Sequence, residues 1–492
     1  MSDVEPALGE NRNPLTTQEA AIEDAIHQLR EATRGTPYEG RLYLVGGLLR
    51  DRELGVPSSP DLDIVLEGDA VELAYFLHKK GLSTHHPVVY PRFGTARITV
   101  ATAQGIDCNV ELVSARAESY HPESRKPDVH LASLREDVFR RDFTINTLLE
   151  NLHTGERLDL TGMAMADLRA KIIRTPLDPA ITFYDDPLRM LRAVRFAARF
   201  DFEIEPKTKE GIMKDAYRLS PPALSYERIR DEFVKIVMLP GTKARRGLQM
   251  LLELNLLPQF LPEMVKMVGC RQGGWHRYDV WEHTLVALEC LPESAGLALR
   301  LGLLWHDIGK PQTRTEVDGQ VHFYGHATVG AEMVHRIMRR LKFSNEEIEA
   351  VTTLVKLHMR PGEYRSDWSD AAVKRLIREC GPYLEDLLTL AECDVAATVV
   401  PEQARADIAG LRARIAQLNA DSVRSLQSPL DGKTIMQLLN VKPGPVIGQA
   451  KEFLVNEVIE GRLAPDDRET AKQRLLAWWQ QTAPQASHQN KA

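Results

Sequence analysis

The sequence predicts an α+β protein: a small β-sheet head followed by a long α-helical body. Three observations carry this expectation. The chain has 492 residues, enough for about three domains, each with its own core. Strand signals alternate with turns from Arg41 to Arg174, whereas helical period takes over after Pro187 and continues almost to the end. Hydrophobic residues at 43% and charged residues at 27% match globular averages, which excludes a disordered, collagen-like or membrane-embedded chain, and 6% aromatic content suits a mainly helical protein.

In chain order, residues 1–20 read as a flexible leader. Met1 to Gln18 lacks the basic and apolar regions of a signal peptide. LYLV (Leu42 to Val45), LDIVL (Leu62 to Leu66), ARITVAT (Ala96 to Thr102) and DCNVELVS (Asp107 to Ser114) are β-rich runs bounded by Gly, Pro or Asp. The most apolar stretch of the body, Leu297 to Trp305, is interrupted by Arg300, and no apolar run reaches the roughly 18 residues of a membrane span. Gln481 to Ala492 reads as a frayed tail. Cys108, Cys270, Cys290, Cys380 and Cys393 are scattered, odd in number and form no C-x-x-C pair. They point to a reducing, cytoplasmic location with no membrane partner. A net charge of −7 advertises no nucleic-acid partner by itself.

The first chemical constellation lies in the head. Alternate residues of a strand share a face, so Asp61 and Asp63 point one way while Leu62 and Ile64 face the core. Two carboxylates on one face suit a hard divalent cation such as Mg²⁺. Gly46 and Gly47 follow a strand, and their missing Cβ atoms would let a triphosphate approach the backbone. Asp107, Asn109 and Glu111 share a face of a further strand, and Glu111 is the favoured third carboxylate.

G-G, a short spacer and then D-h-D-h resembles the nucleotidyltransferase superfamily that includes DNA polymerase β. Downstream, RRDFTIN (Arg140 to Asn146), LDLTG (Leu158 to Gly162), DDPLRMLRAVRFAARF (Asp185 to Phe200) and ERIRDEF (Glu227 to Phe233) resemble the successive motifs of bacterial class II tRNA nucleotidyltransferases, the CCA-adding enzymes, and of their poly(A) polymerase relatives. The resemblance implies a polymerase-β-like head with a small mixed sheet over residues 21–175 and a helical neck and body over 176–270 that binds base and tRNA. It also implies catalysis by Asp61, Asp63 and Glu111 with two Mg²⁺ ions, ATP and CTP as substrates, and tRNA as partner. Gly46, Gly47, Arg50, Asp51, Arg140, Arg141, Asp142, Asn146, Asp186, Arg189, Arg192 and Arg195 would then contact the nucleotide, with Arg50 and Asp51 ordering a loop beside the triphosphate.

Asp186 reads as a helix N-cap with Pro187 at the first helical position, and Asp186 and Arg189 share a helix face. In the family such a pair is the template for the incoming base. A carboxylate accepts from the amino group of cytosine or adenine while a guanidinium donates to the ring nitrogen; guanine and uracil present the reverse order. Arg189, Arg192, Arg195 and Arg199 form a stripe suited to phosphates and, with three arginines in Arg135 to Arg141, concentrate positive charge that the whole-chain sum conceals. The segment Ala117 to Phe139 resembles the flexible loop that full CCA-adding enzymes keep, and LDLTG the family's small hinge.

The second constellation is histidine-rich: His283 in WEHT, His306 and Asp307 in HDIGK, His326 in GHAT, His358 in KLHMR and Asp394 in ECD. It resembles the ligand series of HD phosphohydrolases over residues 271–400, with His283, His306, Asp307 and Asp394 around one divalent ion and His326 and His358 as the extra ligands of two-metal members. Lys310, one turn after His306, is placed to meet a phosphate. Ni²⁺ or Mn²⁺ suits this set. In longer bacterial CCA enzymes such a domain acts on 2′,3′-cyclic phosphates. Residues 401–492 form a further helical region. The expected function is template-independent CCA addition joined to phosphoester hydrolysis. The alternatives are an A-adding enzyme, a poly(A) polymerase, or an inactive RNA-binding head with an active HD domain; pairing as a homodimer is left open.

Overall fold

A computed structural model describes residues 16–486, apart from 120–127, 132, 275, 400 and 401. The chain divides into two units, Met1–Leu239 with Arg246–Phe260, and Pro240–Arg245 with Leu261–Ala492.

The first unit opens on a helix, Thr17–Thr33, inside the segment expected to be a leader. The reason is local. Thr16 accepts from the Glu19 backbone and Glu19 returns the bond, a capping box, while Ala21, Ile22, Ala25, Ile26 and Leu29 form a buried stripe. The strands of the unit are β1 (Leu42–Val45), β2 (Asp61–Leu66), β3 (Val88–Tyr90), β4 (Thr95–Ala101), β5 (Asp107–Ser114), β6 (Arg116–Ser119), β7 (Asp128–Leu131), β8 (Leu149–Asn151) and β9 (Arg157–Leu158). Seven of them make one sheet in the order β3-β4-β5-β2-β1-β8-β9. β2 and β5 are parallel and every other neighbour is antiparallel, so the sheet is mixed. β5 alternates without a break over its first six residues, with Cys108, Val110 and Leu112 buried and Asp107, Asn109 and Glu111 outside.

Three expectations are corrected. The region after the head is not purely helical: Glu203–Ile204 pairs in parallel with Ile172–Ile173 at the end of the head, and Thr315–Val317 forms a hairpin with Gln320–His322. Strands of two or three residues are too short to show a period. The segment Ala117 to Phe139 is not simply a loop, because β6 pairs with β7 and the Leu134–Phe139 helix follows; Arg125 and Lys126 lie outside the described residues. The helix Arg468–Ala486 runs through part of the tail expected to fray, and residues 487–492 lie outside those described.

The second unit is helical apart from its hairpin. Arg300, the charge inside its most apolar helix, is 1% exposed, and its guanidinium donates to the carbonyls of Ala295 (3.0 Å) and Glu293 (3.1 Å). Burial is tolerated because those donors are satisfied. A separate C-terminal core gathers Leu430, Ile435, Ala450, Leu454, Ala471 and Leu475. Among the described residues no helix is long and apolar enough to cross a membrane.

Candidate functional site

The parallel register of β2 and β5 sets Asp61 beside Asn109 and Asp63 beside Glu111. Asp61, Asp63 and Glu111 therefore share one face. Asn109 Nδ2 donates to Asp61 Oδ1 (3.2 Å) and Ser59 Oγ to Oδ2 (2.6 Å). Burial, then the charge of Glu111, pushes the Asp63 carboxyl up to about 6. Gly46 has φ +81°, and a Cβ there would stand 3.0 Å from Asp63 Oδ2. Its absence makes room for the Asp63 carboxylate as well as for any phosphate.

Arg50 and Asp51 lie not on a loop but in the helix Gly47–Leu54, both 5% exposed. The first glycine supplies the positive φ that turns strand into helix, and the helix then carries both charges inward. Arg50 Nε donates to Asp51 Oδ1 (2.8 Å) and Nη1 to Asn146 Oδ1 (2.6 Å). Asn146 Nδ2 donates to Asp142 Oδ1 (2.9 Å), and Arg192 Nε to Asp142 Oδ2 (2.8 Å). The result is a continuous buried chain from the glycine turn to the Leu188–Phe200 helix. Burial opposes the Asp142 charge, but Arg192 and the Asn146 amide hold its carboxyl at about 2.

The arginine stripe is bonded inward rather than left open to phosphates. Arg192 is held by Asp142, Arg195 by Glu232, and Arg199 lies 3.5 Å from Asp51, while Arg189 Nη1 donates to the Thr182 carbonyl (3.3 Å). Arg192 and Arg195 also lie against the ring of Phe196. Arg140 and Arg141 both bind the fully buried Asp137. Local positive charge is thus largely matched by acids, distant in sequence for Arg192, Arg195 and Arg199 and one turn away for Arg140 and Arg141. The Leu188–Phe200 helix starts one residue later than expected, with Pro187 instead of Asp186 at the N-cap and no side-chain cap; Asp186 Oδ1 accepts from the Leu188 amide (3.1 Å). Asp186 Oδ2 is held by Arg228 (2.8 Å) rather than by Arg189. In LDLTG, Asp159 accepts from the Gly162 amide (2.9 Å), a turn that leads into the helix Ala164–Ala170.

In the second unit all six sequence-selected residues converge. His283 Nε2 lies 2.8 Å from Asp394 Oδ1, and His306 Nε2 lies 3.1 Å from Asp307 Oδ2. His326 and His358 approach the other oxygen, Asp307 Oδ1, at 3.5 and 3.7 Å. His283, His306 and Asp307 form one cluster with ligand atoms within 4.8 Å of one another, and Asp307, His326 and His358 form a second. The Nδ1 atoms of His306, His326 and His358 each bond a carbonyl three residues back, at 2.7, 2.9 and 2.7 Å, which leaves each Nε2 for the centre. The Lys310 ammonium is shared between Asp307 (2.7 Å) and Gln272 (2.6 Å), which uses two of its three donors. Burial opposes charge on His306, but Asp307 and Asp394 raise it to about 10, while burial takes His358 down to about 4.

Family comparisons cover most of this chain. Residues 42–174 match a poly A polymerase head domain, 201–267 a probable RNA and SrmB-binding site of polymerase A, and 276–397 an HD domain. The CC-adding tRNA nucleotidyltransferase of Thermus thermophilus is 36% identical over 70% of this chain and 77% of its own. The A-adding tRNA nucleotidyltransferase of Deinococcus radiodurans is 33% identical over 65% and 74%.

The chain belongs to the tRNA nucleotidyltransferase family.

Its fold agrees with a crystal structure of the Bacillus stearothermophilus CCA-adding enzyme in complex with CTP, at TM-score 0.64 and 22% identity over 96% of this chain and 100% of that one. Against this family background, four residues that sequence reading passed over complete the two sites. Arg228 holds Asp186, Asp137 anchors Arg140 and Arg141, Gln272 shares Lys310, and His276 packs edge-on to His283 with ring centroids 5.1 Å apart. Arg228 stands in the quoted ERIRDEF motif, but its partner lies 42 residues away; nothing local links them.

Both sites fit divalent cations. The head offers only carboxylate and amide oxygens, a hard set. The second unit offers imidazole and carboxylate donors, and His283 Nδ1 and His306 Nε2 are buried without a hydrogen bond. A metal at His306 would take the place of the proton that its two carboxylates now favour.

Proposed function

We propose that the chain adds C, C and A to the tRNA 3′ end from CTP and ATP without a nucleic-acid template, and that the histidine clusters hydrolyse phosphoesters, 2′,3′-cyclic phosphates above all. The observation that carries the first reading is the arrangement at Asp186. One oxygen accepts from the Leu188 amide at the helix start and the other is held by a half-exposed arginine. An incoming cytosine or adenine can replace Arg228 by donating its amino group to Oδ2, while Arg189 donates to the ring nitrogen. Guanine or uracil would set acceptor against carboxylate.

The glycine turn admits the triphosphate, and the chain Arg50–Asn146–Asp142–Arg192 keeps that turn in register with the base-reading helix. Asp61, Asp63 and Glu111 would hold Mg²⁺, which when bound neutralises charge on the α-phosphate and the departing pyrophosphate. The tRNA 3′-hydroxyl would give up its proton to a carboxylate of this face or to solvent as its oxygen bonds to the α-phosphorus and the bond to pyrophosphate breaks, and no protein nucleophile is required. In the second unit the two clusters share Asp307, and each of its oxygens faces one cluster. That geometry suits two metal ions held by His283, His306, Asp394, His326 and His358 around one carboxylate.

A second reading, a partial CC- or A-adding reaction, is favoured by the two relatives' activities. Transcripts ending before CCA and after CC, each offered CTP or ATP alone and read on a sequencing gel, separate the cases. Full addition extends both. CTP-only or ATP-only extension assigns the partial reactions, and ATP tailing of unstructured RNA assigns a poly(A) polymerase.

A further inference from the structure

The hairpin of the second unit is absorbed by neither reading. Its strands Thr315–Val317 and Gln320–His322 are joined by Asp318 and Gly319, both with positive φ, a two-residue turn that fixes the register. Beyond it the chain reads His322-Phe323-Tyr324-Gly325-His326. His322 and Tyr324 stack face to face, centroids 5.1 Å apart and rings inclined by 10°. Phe323 lines the same cavity as both: its carbonyl is bonded to His326 Nδ1 (2.9 Å) and its ring lies 5.6 Å from the Lys310 ammonium. Gly325, at φ +73°, turns the chain so that Tyr324 and His326, two residues apart, line the same cavity. That cavity, about 400 Å³, is also lined by Asp307, Lys310, His358 and Asp394. Tyr324 is 74% exposed, so a flat ring face is presented to solvent at the wall of a phosphoester-sized pocket.

We propose that His322 and Tyr324 form a nucleobase-stacking platform beside the histidine clusters, so that the phosphoester taken there is carried by a nucleoside. This rests on the phosphohydrolase reading. Two features favour a base over another group. A parallel pair of aromatic rings offers π surface, which every base can match and an aliphatic phosphate cannot. The only lysine or arginine among the described lining residues is Lys310, already committed to Asp307 and Gln272, so the cavity suits one phosphate group rather than a polyphosphate.

The test is calorimetric titration of the full-length, Mn²⁺-loaded protein with three probes: the slowly cleaved 2′,3′-cyclic phosphorothioate of adenosine, the trinucleotide CpCpA bearing the same end, and inorganic phosphate. Tyr324→Ala is expected to weaken the adenosine probe about tenfold, to leave inorganic phosphate unchanged, and to be rescued by Tyr324→Trp. Equal binding of the adenosine probe by wild type and Tyr324→Ala, or an equal loss for inorganic phosphate, overturns the proposal. Tighter, Tyr324-dependent binding of the trinucleotide assigns the platform to RNA ends; dependence confined to the mononucleotide assigns it to free nucleotides. Failure of the wild type to cleave either 2′,3′-cyclic AMP or p-nitrophenyl phosphate would remove the phosphohydrolase reading while the titration still decides the platform.

Discussion

Asp61 and Asp63 are the residues proposed to carry the head's chemistry. Replacing both by alanine is expected to reduce nucleotide addition by about three orders of magnitude or more, because several kcal/mol of charge neutralisation is lost. Circular dichroism melts should not fall below wild type, since Asp61 is exposed and burial together with the Glu111 charge already disfavours the Asp63 carboxylate; retained addition would contradict the assignment. Asp142 has a different signature. Its folded carboxyl is held at about 2, below the ordinary value of 3.8. A depressed acid contributes stability above its unfolded pKa and loses it as pH falls toward the folded value, so the contribution, about 2 kcal/mol, is present at pH 5 and fades between about pH 4 and 2. Asp142→Asn should lower stability at pH 7 and flatten the acid limb of a urea-midpoint profile. The carboxylates were legible in the sequence because alternation along one strand is a local rule. The pairing of Asp142 with Arg192, 50 residues away, was not, and neither was that of Asp186 with Arg228. Residue types alone cannot tell a phosphate-binding arginine from one already bound to an acid.

Among the elements, β5 was readable to the residue, because DCNVELVS alternates and is bounded by turn residues. The Thr315–His322 hairpin was missed, because three residues per strand, with a single valine in each, are too few to show a period. The turn between β1 and the Gly47–Leu54 helix makes a sharper prediction. An alanine at Gly46 must adopt φ near +81° and place its Cβ 3.0 Å from Asp63 Oδ2. Strain of about 1–3 kcal/mol is expected, together with loss of addition beyond what stability explains. Gly40→Ala, also at positive φ but with nothing within 4 Å of the added carbon, is the control: it should show strain and keep its activity. Matching activity losses in the two variants would mean that backbone strain, and not the displaced carboxylate, is responsible.

For the whole molecule, the two proposed chemistries lie in different units and need not depend on each other. His306→Ala is expected to abolish phosphoester hydrolysis and lower bound transition metal, measured by mass spectrometry of dialysed protein, while tRNA extension continues at its former rate. Loss of both activities would show that the second unit supports the first. The total charge of −7 gave no hint of an RNA partner; the ordered motifs did, because they place a carboxylate face, a glycine turn and the helix proposed to read the base within one unit. The central claim is that a single Asp and Arg site serves both cytosine and adenine. Its most direct test is extension of a tRNA transcript lacking CCA with all four nucleotides, each supplied alone and then CTP with ATP. The account predicts two cytidines from CTP alone, a completed CCA end from CTP with ATP, and no product from GTP or UTP. Failure to incorporate CTP on any tRNA would contradict it.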